Sequence, residues 1–330
     1  MAVTDALGDP GRLELGFWLS SEEHAPDRLV DHAVAAERAG FGTAMVSDHF
    51  HPWTPRQGHS GFVWTVLGAI ARSTDRLRVG TGVTAPIARV HPLVIAHAAA
   101  TTEILMPGRF FLGLGAGERL NEQVVGGHWP TGKARREMLE EATEVIRRLW
   151  KGKTVTHEGT HFTVERARLF SRPDTPPPIV VAAGGNKTAE LAGRIGDAML
   201  GVKADPGIVD AFEATAGARK PRLAQLHVCW AASEEEARRV AHEWWPNGAL
   251  PAPLLSQLAT PSEFAAAAGL VTEDAVAEQI VVGPDPERYR TAIDRFVAAG
   301  FTTIYLHHIG PDQPGFLDFS RRELLGHFDR

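Results

Sequence analysis

An apolar run from position 43 to 46 ends abruptly in Ser47-Asp48-His49-Phe50-His51-Pro52-Trp53. A buried strand reads this way when its carboxyl end opens into a site. The strand supplies rigidity, and its mouth supplies a carboxylate, two imidazoles and a large aromatic wall. Histidine exchanges protons near neutrality at its ordinary pKa, so His49 is the first candidate for acid–base work. Taken alone, a histidine after a strand is more often a hydrogen-bonded structural residue. Matching polar residues at the ends of other strands reverse that preference.

Positioning such residues needs a repeating framework, and the chain has one. Short apolar runs at 13–19, 43–46, 77–83, 109–114, 179–183, 198–202, 223–230 and 302–307 predict eight strands. Amphipathic segments at 25–39, 62–72, 92–105, 134–150, 187–194, 206–216, 233–245 and 286–299 predict helices between them, with a terminal helix over 315–328. Ser233 followed by Glu236 predicts a capping box at the start of one of these helices. No composition break divides the 330 residues. The expected class is therefore α/β: one TIM-like (β/α)8 barrel domain over 1–330. Two insertions interrupt it, a hairpin within about 151–175 and a lid-like stretch at 247–274. A doubly wound sheet is the alternative, but no Gly-x-Gly-x-x-Gly turn follows the first strand. The Gly113-x-Gly115-x-Gly117 run follows the fourth strand and leads into Glu118.

In such a barrel the carboxyl ends of all strands face one mouth. Strand two brings Asp48, His49 and Trp53 there, strand three Gly82-Val83-Thr84-Ala85-Pro86, and strand four Gly117, Glu118 and Asn121. Strand five brings Gly184-Gly185-Asn186-Lys187, where backbone N–H groups at a helix start suit a phosphate. Strand eight brings His307 and His308, only one of which can face the interior.

Several function classes are disfavoured. A net charge of −6 gives no electrostatic footprint for nucleic acid. No apolar run approaches membrane-spanning length, and the segment 1–11 lacks the pattern of a signal peptide, so a cytoplasmic protein is expected. The single cysteine, Cys229, excludes an internal disulfide and a Cys-rich zinc site. No His-x-x-x-His spacing accompanies Asp48-His49, so no metal is expected, and no Gly-x-Ser-x-Gly elbow is present.

Ser47-Asp48-His49-Phe50-x-Pro52-Trp53, together with Gly115-Ala116-Gly117-Glu118-x-x-Asn121-Glu122, resembles the F420-dependent glucose-6-phosphate dehydrogenase family of the luciferase-like barrel superfamily. Gly80-Thr81-Gly82-Val83, His91-Pro92, Pro107-Gly108-Arg109, Ala182-Ala183-Gly184-Gly185, Gly196-Asp197 and Asp285-Pro286 extend the resemblance in order. The resemblance implies coenzyme F420 in the barrel mouth. Asp48, Ala116, Gly117 and Asn121 would hold its deazaflavin ring. A bulge at Gly82-Val83, with a non-prolyl cis peptide, would support one ring face. Ala85 stands where relatives place a hydroxyl residue against the cofactor, and Gly184, Gly185 and Lys187 match the region receiving the phosphate-bearing tail. The resemblance also implies His49 as the base taking a substrate hydroxyl proton, Trp53 as the wall of the reacting centre, and Glu118 as the acid for the reduced ring. A glutamate in a largely apolar mouth has a raised pKa, as a proton donor near neutrality needs.

The implied substrate is a small alcohol or lactol. Lys203 lies near a basic position used by sugar-phosphate relatives, but Ala277-Glu278-Gln279-Ile280 carries an acid where they carry a lysine. A neutral alcohol, or a sugar phosphate bound by other residues, is therefore expected, and so is a homodimer. The alternatives are an FMN-dependent monooxygenase on the same barrel and a non-catalytic F420-binding protein.

Overall fold

The computed structural model describes residues 4–217 and 219–328. Met1–Val3, which carried part of the expectation about a leader, lie outside the described residues, as do Ala218 and positions 329–330.

Eleven strands are present among the described residues: β1 (Glu14–Leu19), β2 (Thr43–Val46), β3 (Arg78–Thr81), β4 (Phe110–Leu114), β5 (Val155–Glu158), β6 (Thr163–Ala167), β7 (Ile179–Ala182), β8 (Ala198–Gly201), β9 (Arg222–Cys229), β10 (Val281–Val282) and β11 (Thr303–His308). The parallel order β11-β1-β2-β3-β4-β7-β8-β9 closes on itself, because β9 pairs with both β8 and β11. The result is an eight-stranded TIM-like barrel wrapped by helices. β5 and β6 form the antiparallel hairpin expected within 151–175. The two-residue β10, which was not expected, pairs only with the end of β9.

Strand periodicity sorts the side chains into two layers. Phe17, Leu19, Ala44, Val46, Leu112, Leu114, Ala224, Leu226, Ile304 and Leu306 pack outward under the helices. Trp18, Met45, Phe111, Val180, Leu200, Leu223 and Tyr305 fill the barrel interior. Low in the barrel, the Tyr305 hydroxyl meets Thr43 Oγ1 at 2.9 Å. The interior is therefore solid at its amino end and opens only toward the carboxyl ends of the strands.

Two local expectations need correction, and one gains detail. The third strand ends at Thr81 rather than 83; Gly82–Val83 are joined by a cis peptide, and Thr84 rejoins the sheet as a single bridge to Leu114. At Ser233 only half of the capping box forms, Ser233 Oγ accepting from the Glu236 N–H at 3.2 Å. The complete box appears at Thr260 and Glu263. The lid-like stretch 247–274, given no internal structure by the sequence, folds into short helices at Ala252–Leu255 and Pro261–Ala268 that seat Phe264 against Trp53 at a ring distance of 5.2 Å. Helices this short carry too few turns for a periodic signal and rely on tertiary packing.

Candidate active site

A cavity of about 360 Å³ opens at the carboxyl ends of the strands. Asp48, His49, Gly82, Val83, Ala85, Ala116, Gly117, Glu118, Asn121 and Gly184 all line it, as do Ala252, Leu255 and Ser256 of the second insertion. Four expected residues lie elsewhere. Trp53 stands behind His49, with ring centroids 5.0 Å apart. Gly185 caps the helix Asn186–Ile195, while Lys187 and Lys203 are exposed beyond the cavity wall. Size alone would have chosen another place: a cavity of about 590 Å³ lies by the amino ends of β4 and β7, walled by Pro107, Phe110, Phe170 and Pro178. Its carboxyl, Glu103, is pushed up to about 7 by burial, but it accepts the Gly108 N–H at 2.6 Å and so holds a turn.

The geometry around His49 fixes which ring nitrogen can exchange a proton. Nδ1 lies 3.2 Å from the His51 carbonyl oxygen, which can only accept, so Nδ1 carries a ring proton and Nε2 is the nitrogen left to gain or lose one. Nε2 in turn lies 3.3 Å from Glu22 Oε1 and 3.7 Å from Glu118 Oε2. A proton arriving at Nε2 is thus met by two carboxyl groups. Ser60 Oγ donates to the His49 carbonyl at 2.7 Å and steadies the backbone beneath the ring.

The two carboxyls are held in opposite states. Burial pushes the Glu118 carboxyl up, and the nearby Glu22 adds to the rise; His49, the Asn121 amide and Arg135 oppose it without cancelling it. Burial also acts on Glu22, but His49, the hydroxyl of Ser47 and a backbone donor outweigh it and hold that carboxyl below its ordinary value. Ser47 Oγ donates to Glu22 Oε2 at 2.5 Å, and Ser20 Oγ at 3.1 Å. One carboxyl is therefore disposed to keep a proton while its neighbour stays charged.

Glu22 escaped the sequence analysis. Its signal was present, because Ser20-Ser21-Glu22-Glu23 stands directly after β1 at the same mouth. Runs of polar residues after a strand also mark ordinary turns, and only the structure turns Glu22 inward.

Asp48 and Asn121 prove to be organisers as well as wall residues. Asp48 accepts from Thr84 Oγ1 at 2.7 Å and from Arg89 Nη2 at 2.8 Å. Asn121 Oδ1 accepts the N–H groups of Phe50 at 2.9 Å and His51 at 3.2 Å, pinning the loop that carries His49. Its Nδ2 reaches Glu118 Oε2 at 3.4 Å. Arg89 also lies 3.7 Å from Glu122, whose Oε2 accepts the Ala88 N–H at 2.8 Å. Arg135 donates to the Gly117 carbonyl at 2.8 Å and covers the Trp129 ring at 4.4 Å. The two arginines near the mouth are thus already engaged.

The cavity walls suit a flat ring. Val83, Ala116, Leu200 and Trp18 present apolar faces. A Cβ on Gly82 would come within 2.5 Å of Trp18, so a side chain there would displace the indole wall. Gly117 turns in the left-handed region at φ 69°, and a Cβ there would meet Ala85 at 3.2 Å. At the far end, the Cβ positions of Gly184 and Gly185 face open space at the start of the helix Asn186–Ile195, which leaves helix-initial N–H groups accessible to an anion. A slot for a planar aromatic system leads to a seat for a phosphate, and coenzyme F420 fits both.

Residues 13–303 match the luciferase-like monooxygenase family, and the chain belongs to it. The chain is 38% identical over 327 residues to the F420-dependent hydroxymycolic acid dehydrogenase of Mycobacterium tuberculosis, covering 96% of this chain and 89% of that relative. It is 36% identical over 328 residues to the F420-dependent glucose-6-phosphate dehydrogenase of Kineococcus radiotolerans, covering 96% of each. Among solved structures, an F420-dependent secondary alcohol dehydrogenase in complex with an F420-acetone adduct superimposes with a TM-score of 0.89 at 30% identity, covering 95% of this chain and 98% of that one.

Proposed function

We propose that this protein is an F420-dependent dehydrogenase that oxidises a neutral secondary alcohol, or reduces the corresponding carbonyl, with His49 as the base. The observation that carries this assignment is the position of His49 Nε2, set between Glu22 and Glu118 at the rim of the cavity. Bound F420 supplies the ring that accepts or donates hydride. Loss of hydride from a carbinol carbon leaves positive charge unless the hydroxyl proton departs as well, and His49 Nε2 is the group that takes it. The charge then created on the ring faces the Glu22 carboxylate. Trp53 backs the imidazole and keeps it from rotating out of the mouth. Glu118, whose carboxyl pKa is raised, is the acid of the site. Val83, Ala116 and Gly117 would flank the deazaflavin, and the helix start at Gly184–Gly185 would meet its anionic tail.

The preference for a neutral substrate rests on charge. Among the described residues lining the cavity there is no lysine or arginine, whereas Asp48, Glu118 and Glu122 are all acidic. The lid adds Ala252, Leu255 and Ser256, so a phosphorylated sugar would find no cation in the cavity wall to pair with. With Lys203 outside this cavity, it has no part in the reading. A homodimer and a cytoplasmic location belong to the same proposal; sedimentation velocity tests the first and fractionation of the source cell the second.

Anaerobic mixing of the protein and oxidised F420 with 2-alkanols or glucose 6-phosphate tests the assignment through loss of the deazaflavin absorbance. Turnover with the alcohols and none with the sugar phosphate is expected. Preference for the sugar phosphate overturns the substrate class; oxygen consumption with reduced FMN, or F420 binding without turnover, overturns the dehydrogenase.

A further inference from the structure

Beneath the mouth, the interior face of β9 carries Leu223, Gln225 and His227 at alternate positions, and that of β11 carries Tyr305 and His307. Of these, Gln225 lines the cavity. Its surroundings fix which end of the carboxamide faces inward. Glu23 Oε1 accepts the Gly310 N–H at 2.9 Å, and Glu23 Oε2 lies 2.9 Å from His307 Nε2. A carboxylate only accepts, so Nε2 of His307 carries a proton, and Nδ1, met by an amide nitrogen, carries the lone pair. Gln225 Nε2 lies 3.1 Å from that Nδ1, and an amide nitrogen only donates. The amide nitrogen is held behind, which leaves Oε1 to face the cavity. Rotation of the imidazole is blocked by Trp18, stacked at 6.1 Å, and by Trp245, edge-on at 4.6 Å. Glu23 and His307 are almost wholly shielded from solvent, so water does not compete for these bonds.

We infer that Gln225 Oε1 is a preset hydrogen-bond acceptor on the cavity floor, oriented by the Glu23–His307 pair, and that it receives an O–H or N–H of the bound ligand. An unpaired carbonyl oxygen on a floor otherwise made by Trp18, Val83 and Leu200 favours a ligand edge bearing such a donor and disfavours one bearing only methyl groups. The donor belongs either to the deazaflavin edge or to the substrate, and it is the same chemistry in both. The assignment of a ligand rests on the F420 reading above; the tautomer of His307 does not.

Two measurements test it. In the wild-type protein, 15N NMR of labelled histidine is expected to show His307 with an unprotonated Nδ1; a protonated Nδ1 reverses the carboxamide and overturns the inference. Gln225→Met keeps the length and removes the polar end. F420 fluorescence titration and alcohol KM at saturating F420 then separate the two sources. A rise of about tenfold in the F420 Kd places the donor on the cofactor, and a rise of about tenfold in KM with unchanged Kd places it on the substrate. Unchanged values for both, with or without a lower melting temperature, reduce Gln225 to a packing residue and overturn the inference. Wild-type protein that fails to bind F420 at all removes the proposed function instead, and the NMR result still stands. Should Gln225→Met not fold, the wild-type tautomer decides.

Discussion

Glu22 and Glu23 are neighbours in sequence, and each pairs with a histidine, yet the two pairs do different work. Glu22 reaches His49 at 3.3 Å on the rim of the cavity, where Glu118 stands on the other side and a ligand can reach the ring. Glu23 reaches His307 at 2.9 Å inside the barrel, where Gln225 occupies the second ring nitrogen and the Gly310 N–H the second carboxylate oxygen. A histidine–carboxylate pair is a base only when one ring nitrogen is left without a donor and a ligand can reach it. With every site filled, the same pair is a strut. Around the strut, burial pushes the pKa of His227 down to about 3, so that ring adds bulk and no charge.

The largest expected effect on stability lies on the strut. Glu23→Ala leaves His307 buried with its N–H unanswered and should lower stability by about 1–3 kcal/mol, read by chemical denaturation. A loss under 1 kcal/mol would mean the interior pair is not the rigid element described.

Next comes the rim. His49→Ala should lower turnover by about 10²-fold or more while F420 binding by fluorescence stays near wild type. Equal losses of binding and turnover would put His49 with the strut rather than with the chemistry. Glu22→Gln should cost about tenfold in turnover, because the charged ring then faces a neutral amide. Wild-type turnover in this variant would leave Glu118 as the only carboxyl that matters to His49.

The smallest effect is one of sign. The Glu118 carboxyl is raised in the folded protein, so the stability it gives is full at low pH and is lost as pH rises above the ordinary carboxylate range. The Glu22 carboxyl is lowered, so its contribution is present above that range and is lost as pH falls. The melting temperature of Glu118→Gln relative to wild type should therefore climb as pH rises above the ordinary carboxylate range, and that of Glu22→Gln should drop as pH rises into that range from below. Parallel trends would erase the division of labour between the two carboxyls.

Much of this was legible before the structure. The eight-strand alternation, the inserted hairpin and the motifs around His49 and Glu118 all occupy their expected places, because they are local patterns of strand, turn and helix. The inward turn of one residue in the His307–His308 pair was likewise forced by strand geometry: His307 stacks on Trp18, while His308 stacks outside on Phe316 at 4.6 Å. Lys187 and Lys203 stand exposed outside the cavity; a basic residue near a strand end carries no mark of which way its side chain leaves the loop. The fold of 247–274 was hidden because its helices are short and their apolar residues serve Trp53, a partner about 200 positions away.

The sequence by itself determined the barrel, the mouth at which its polar residues gather, and the chemistry available to His49 and Glu118. Those follow from periodicity and residue type, which act over a few neighbours. Only the tertiary structure decided which carboxylate answers which histidine. Glu23 and His307 are 284 residues apart, and Glu22 differs from Glu23 by a single step along the chain. Barrel closure between β11 and β1 brings these groups together, and the turn after β1 sends one carboxylate to the rim and the other into the core. Whether a ring nitrogen is left open depends on contacts that exist only once the sheet has closed.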